Sequence, residues 1–305
     1  MNQDIKNLFT KKSVTIIVTD SGLGGVSIAA DLVERINNSG IFQKADVVFF
    51  NSSFDNKSGY NKIEKNVDKV RIFNDALNSM QQNHKPDLIM IGCNTLSVIY
   101  PETPFSKKTT TPVIGILETG VDFILEKIDS VPDANIVIFA TPTTISKGSH
   151  KKILIEKGIK PEKIIGISCS DLADKIEEGH WSKATQAMVN QFVIEAVNKI
   201  KNRNQPLIVS LNCTHYGYVL PLFRQEFENN GIKPYAVLNP NPRMSNFLFK
   251  SANLNRCTQT GTSIEIISKV TIFPEVKKSI SELIGTTSPE TVKALQNYKQ
   301  DTRLF

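Results

Sequence analysis

Two short stretches of this sequence set a thiol beside groups able to hold a carboxylate: Cys93-Asn94-Thr95 and Cys213-Thr214-His215. A thiolate is a competent base and a thiol a competent acid. A thiol's ordinary pKa of about 8.5 is drawn toward neutrality near a helix N-terminus or a hydrogen-bonding base. The commoner fate of a free cysteine is that of a small buried hydrophobe, but two matched polar triplets in one chain favour chemistry. Cys169 and Cys257 have no such company and read as inert. A zinc site drawn from Cys93, Cys213, His215 and Asp20 is weakly supported, because a Cys-x-His spacing without a second Cys pair lacks the usual ligand pattern; no metal is expected. A Cys–His hydrolase would leave the second thiol unexplained, and no Gly-x-Ser-x-Gly elbow points to a serine hydrolase. His84, His150 and His180 have no evident partner and read as surface or capping residues.

A third stretch, Asp20-Ser21-Gly22-Leu23-Gly24-Gly25, follows a strand-like run and precedes a helix-like one. Its backbone N–H groups can cradle an anion at the helix N-terminus. Its spacing does not fit the dinucleotide pattern, and Asp20 would repel a pyrophosphate. A structural tight turn and a small-substrate site both stay open.

The elements that must position these groups follow a βαβ rhythm. Short β-branched runs at 14–22, 46–53, 86–95 and 112–120 alternate with stretches of helical apolar spacing at 27–37 and 64–81. The rhythm repeats in runs at 134–144, 162–171 and 205–217, with helical segments at 173–178 and 184–201. It predicts α/β architecture with mostly parallel sheets. Asp20 to Cys93 spans 73 residues and Thr141 to Cys213 spans 72, so each half carries one cysteine to the C-terminal end of a strand. Ligands gather at that end of open α/β sheets, and two facing domains would put both cysteines around one cleft. The expected domains are 1–115 with 236–305, and 116–235. The tail is read as an amphipathic stretch, helical from Pro274, that packs back on the first domain.

The length of 305 residues suits two domains, and 40% apolar with 22% charged residues is an ordinary globular balance. The N-terminus lacks a signal-peptide core, and no run reaches the about 18 apolar residues of a membrane span. A soluble, cytoplasmic protein with reduced thiols is expected, and no membrane partner. The net charge of +6 is spread over scattered lysines, Lys57 among them, without interleaved aromatics, so no nucleic-acid partner is expected.

The motifs resemble those of the aspartate/glutamate racemase superfamily, and within it the glutamate racemase branch. The resemblance runs in order through VTDSGLGGVSIAADL, IGCNTLSVIYPE, PVIGILETGV, IFATPTTISKGSHKKIL, SCSDLADKIEEGHW, LNCTHYGYVLPLF and QTGT at 258–261. Aspartate racemases usually carry glutamate where this chain has His215. The resemblance implies two doubly wound parallel-sheet domains related by a pseudo-two-fold, with the active site in the cleft between them and no pyridoxal phosphate or other cofactor. It implies a small-molecule amino-acid substrate, a homodimer among the allowed assemblies, and a link to the D-amino acids of peptidoglycan.

Removing a Cα proton from one face and returning one to the other requires two opposed acid/bases. By resemblance these are Cys93 and Cys213, assisted by Asp20 and His215. Ser21, Asn94, Thr95, Thr141, Thr144 and Thr214, with Asp20 and His215, would hold the α-carboxylate and ammonium, and Glu177 would be a further acid near the site. The family's Pro-Tyr-Gly, which helps bind the substrate's side-chain carboxylate, stands here as Gly59-Tyr60-Asn61, with Tyr60 and Asn61 as the corresponding contacts. Other departures are Asn51 for an aspartate, Gly217 for the proline after the Cys-Thr-His-Tyr motif, and LNPNPRMSN at 238–246.

Overall fold

The computed structural model describes residues 3–56 and 58–305; Lys57 lies outside them. The chain divides into two compact units, Met1–Gly115 with Asn241–Phe305, and Ile116–Pro240.

The strands of the first unit are β1 (Ser13–Asp20), β2 (Lys44–Asn51), β3 (Leu88–Ile91) and β4 (Val113–Gly115). Those of the second are β5 (Asn135–Ala140), β6 (Ile164–Ser168), β7 (Leu207–Asn212) and β8 (Ala236–Leu238). The chain then returns to the first unit with β9 (Gly261–Ser268) and β10 (Lys299–Gln300). Strands that are apolar on both faces, such as Leu-Ile-Met-Ile in β3, are fully buried, as helix-covered parallel strands must be.

The first sheet runs β10-β9-β2-β1-β3-β4 and the second β6-β5-β7-β8, with every pairing parallel. Each unit therefore repeats one winding: its first strand pairs with its second on one side and its third on the other, and its fourth lies beyond the third. The chain reverses direction across the sheet between β1 and β3, and again between β5 and β7. Such switch points open a crevice at the carboxyl ends of the strands. Asp20 ends β1 and Cys93 lies two residues past β3; Thr141 follows β5 and Cys213 follows β7.

Three differences from the sequence reading have physical causes. The run at 112–120 is strand only over Val113–Gly115, because Leu117, Val121, Ile124 and Ile128 recur at helical spacing and bury one face of the helix Ile116–Ile128. The return to the first unit comes at residue 241 rather than 236, since β8 pairs in parallel with β7. The tail is more than a helix: besides Pro274–Ile284 it supplies β9, which pairs with β2 along its whole length from Lys44↔Gly261 to Asn51↔Ser268. Among the described residues no helix is long and apolar enough to cross a membrane.

Candidate active site

At the first unit's switch point the turn after β1 brings Asp20 and Ser21 against the segment after β3. The Ser21 hydroxyl lies 3.2 Å from Cys93 Sγ. Asp20 is buried, and the glycine at 25 makes room for it: a Cβ there would stand 2.8 Å from its Oδ2. Gly25 therefore makes room for a carboxylate of the protein itself.

Cys93 caps the short helix Asn94–Ile99, as expected for a thiol near a helix start. The expected lowering of its pKa is absent. Burial pushes the thiol well above its usual range and the Asp20 charge adds to this, while the Ser21 hydroxyl and the backbone N–H groups of Leu96 and Ser21 oppose it. An unliganded Cys93 is thus held as a thiol and becomes a base only when a further charge or donor changes that balance.

Beside Cys93, Asn94 is buried with neither Oδ1 nor Nδ2 hydrogen-bonded, and the buried Tyr60 hydroxyl is likewise unpartnered. Buried polar atoms are nearly always satisfied, so such atoms call for an explanation, and a ligand is one. The Tyr60 ring is fixed edge-on to Phe54 with centroids 5.4 Å apart, while Asn61 is exposed. Thr95 is buried in the first turn of the Cys93 helix. Asn51 is committed elsewhere: its Nδ2 donates to Ser268 Oγ at 3.0 Å and its Oδ1 accepts from the Ser53 N–H at 3.0 Å. It ties β2 to β9, a partner that only the unrecognised strand provides.

In the second unit Cys213 begins the 3-10 segment Thr214–Val219. Its Sγ lies 3.7 Å from His215 Nδ1, and His215 Nε2 lies 2.6 Å from Glu177 Oε1 on the helix Leu172–Gly179. Burial works against a charged imidazole here. The hydrogen bonds to Cys213 and Glu177, with the Glu177 charge, outweigh it and hold the His215 pKa well above its ordinary value, so the ring is an imidazolium at neutral pH. Thr141 and Thr144 bring their hydroxyls together at 3.0 Å, and Thr214 is buried beside Cys213.

Behind this edge lies a pair that sequence reasoning missed. His150 is buried, not a surface or capping residue, and its Nε2 accepts a hydrogen bond from Asn212 Nδ2 at 2.9 Å. Burial lowers its pKa to about 4, so the ring is neutral. Asn212 immediately precedes Cys213, and a Cβ on Gly120 would come within 2.7 Å of its amide nitrogen. Partners 62 residues apart leave no local sequence signal.

A model of the Asp/Glu/Hydantoin racemase family matches residues 23–239, well over half of the chain. The chain belongs to that family. A relative from Lactobacillus acidophilus described as glutamate racemase is 24% identical over 280 residues, covering 90% of this chain and 89% of its own. Another, from Clostridium botulinum, is 28% identical over 211 residues, covering 68% and 74%. Among solved structures, a glutamate racemase isoform from Bacillus anthracis shares the fold with a TM-score of 0.68 at 17% identity, over 90% of this chain and 95% of that one.

Proposed function

We propose that this chain, an isomerase of the racemase family, interconverts L- and D-glutamate by a 1,1-proton transfer between two thiols, without pyridoxal phosphate. One observation carries the reading: two sheets of identical winding each present a cysteine at the switch point, and each cysteine has its own polar assistant. Ser21 and Asp20 attend Cys93; the His215–Glu177 pair attends Cys213. The description of the curated relatives as glutamate racemases supports glutamate as the substrate.

In this reading a thiolate removes the Cα proton from one face and the other thiol returns a proton to the opposite face, with the roles exchanged for the other enantiomer. Cys93 is set as the thiol donor by its surroundings, and Asp20 is the group that relieves it of a proton for the reverse direction. The His215 imidazolium, its Nδ1 3.7 Å from Cys213 Sγ, resupplies a proton when that sulfur must donate. Asn94, Thr95, Thr141, Thr144, Thr214 and Ser21 hold the α-carboxylate and ammonium. Their fixed dipoles stabilise the charge that builds on the carboxylate as Cα becomes planar. Tyr60 and Asn61 stand at the substrate's far end.

The test is exchange of the α-hydrogen of glutamate in deuterated water with purified protein and no added cofactor, followed by the same assay on Cys93→Ala and Cys213→Ala. Wild-type exchange with loss of racemisation in both variants is expected. A wild type inert toward glutamate but active on aspartate or another amino acid would discard the substrate and keep the chemistry; full racemisation by either variant would discard the two-thiol mechanism.

A further inference from the structure

Asn212 ends β7 and delivers Cys213 as the next residue. Across the sheet it stands beside Ala140, which ends β5 and delivers Thr141 in the same way. From there the chain leaves the sheet through the helix Pro142–Lys147, turns at Gly148 with a left-handed φ of 63° and enters the helix Ser149–Glu156. His150, in the first turn of that second helix, comes back to Asn212 and accepts a hydrogen bond from its Nδ2 at 2.9 Å. Residues 141–150 therefore start beside Asn212 and return to it. They carry Thr141 and Thr144, so one carboxamide is the meeting point of the segment with the thiol and the segment with the two hydroxyls.

This tie is built against the interests of stability. Asn212 and His150 are both buried, and Asn212 Oδ1 has no hydrogen-bond partner. A Cβ on Gly120 would stand 2.7 Å from Asn212 Nδ2 and 3.7 Å from His150 Nε2, so the helix Ile116–Ile128 accepts an unfavourable interior glycine to leave room for the pair. Two apolar side chains of the same shape would fill this space without an orphaned carbonyl, and such double replacements are close to neutral for stability. They would not supply direction. A hydrogen bond fixes the distance and angle between its partners, whereas an apolar contact lets them slide.

We propose that Asn212 and His150 are positioning residues for catalysis, their hydrogen bond holding the Cys213 thiol in register with the hydroxyls of Thr141 and Thr144. This rests on the proposed glutamate racemase activity and adds to it two residues that act through others. Proton transfer is exacting about placement: a displacement of about 1 Å can cost about 100-fold in rate. A displaced Cys213 no longer delivers its proton to the carbanion. Cys93 still removes a Cα proton and, once its S–H has exchanged with solvent, returns a solvent hydrogen to the same face. Exchange without inversion therefore grows relative to inversion, and only for the enantiomer that Cys93 deprotonates.

The experiment compares wild type with His150→Leu, Asn212→Leu, the double variant carrying both, and His150→Gln, whose amide oxygen restores an acceptor for Asn212 Nδ2. L- and D-glutamate are incubated separately in deuterated water. Deuterium in the remaining substrate is measured against formation of the opposite enantiomer, and each variant is melted. The single leucine variants should lose about 10- to 100-fold in kcat, with a ratio of exchange to inversion that rises for one enantiomer only. The double variant should melt no lower than either single one and lose no more activity, because both substitutions break the same bond. His150→Gln should restore the wild-type ratio. The double variant and His150→Gln keep the comparison open where a single leucine variant fails to fold. A double variant with wild-type kcat, a ratio unmoved in every variant, or His150→Gln as impaired as His150→Leu overturns the proposal. A wild type that does not racemise glutamate refutes the activity instead, and the ratios are then measured on the amino acid it does racemise; racemisation of none refutes both.

Discussion

Glu177 Oε1 lies 2.6 Å from Nε2 of His215, whose other nitrogen lies 3.7 Å from Cys213 Sγ. The carboxylate is one of the charges that hold His215 protonated against the cost of its burial. Glu177→Gln keeps the shape and removes the charge, so the imidazolium should lose its proton at lower pH. The alkaline limb of kcat/KM should move down with it, and kcat should fall by about 10- to 100-fold, the worth of one charged hydrogen bond. Because the folded pKa lies above the unfolded value of about 6.5, the pairing stabilises fully below that pH and is lost as pH rises through the folded pKa. The variant should show a smaller loss there. A His215 imidazole resonance that titrates alike in both proteins would refute the coupling.

Cys93 offers a test of opposite sign. Asp20 raises its pKa and Ser21 lowers it. At a fixed pH, iodoacetamide should therefore alkylate Cys93 faster in Asp20→Asn and more slowly in Ser21→Ala, although both variants lose turnover. Equal alkylation rates would show that neither group governs the thiol.

Asn94 should separate stability from activity. Its amide is buried without partners in the unliganded protein, which carries a desolvation cost of about 1–3 kcal/mol. Asn94→Leu, with the same heavy-atom branching and no polar atoms, should melt at the same temperature or higher and yet lose at least about 100-fold in turnover, as expected for a transition-state contact. A clear drop in melting temperature would instead mark Asn94 as structural.

His150 governs an acid limb of stability. Its neutral ring is lowered to about 4 by burial. Stability is therefore complete above the unfolded pKa of about 6.5 and falls as pH drops toward the folded value, by up to about 3 kcal/mol. Urea melts between pH 7 and 4 should show this slope in wild type and its absence in His150→Phe. The same variant should be less stable at pH 7, because Asn212 Nδ2 loses its acceptor.

Strand ends were legible because parallel strands are apolar throughout and stop at the first polar residues. Asp20, Cys93, Thr141 and Cys213 stand out for that reason, and a spacing of 73 and 72 residues shows the repeat. Gly261–Ser268 was not recognised, although its Thr262, Ile264 and Ile266 are partly or fully buried and alternate with exposed positions. Its partner strand lies far back in the chain, and only that pairing makes the alternation meaningful. Asn51 and Ser268, His150 and Asn212, and Gly217 and Asn239 are all contacts that the fold creates. No periodicity encodes them.

The pairing of β2 with β9 also bears on how the protein is made. Asn51 and its partner Ser268 are 217 residues apart, and the whole second unit is translated between them. At about 5–20 residues per second that interval is about 10 to 40 s. Throughout it the second unit can complete its own sheet, whereas β2 waits with one edge unpaired and open to other chains. The most vulnerable moment in biosynthesis is therefore set by the length of an inserted domain, and conditions that slow the ribosome should cost soluble yield before they touch catalysis.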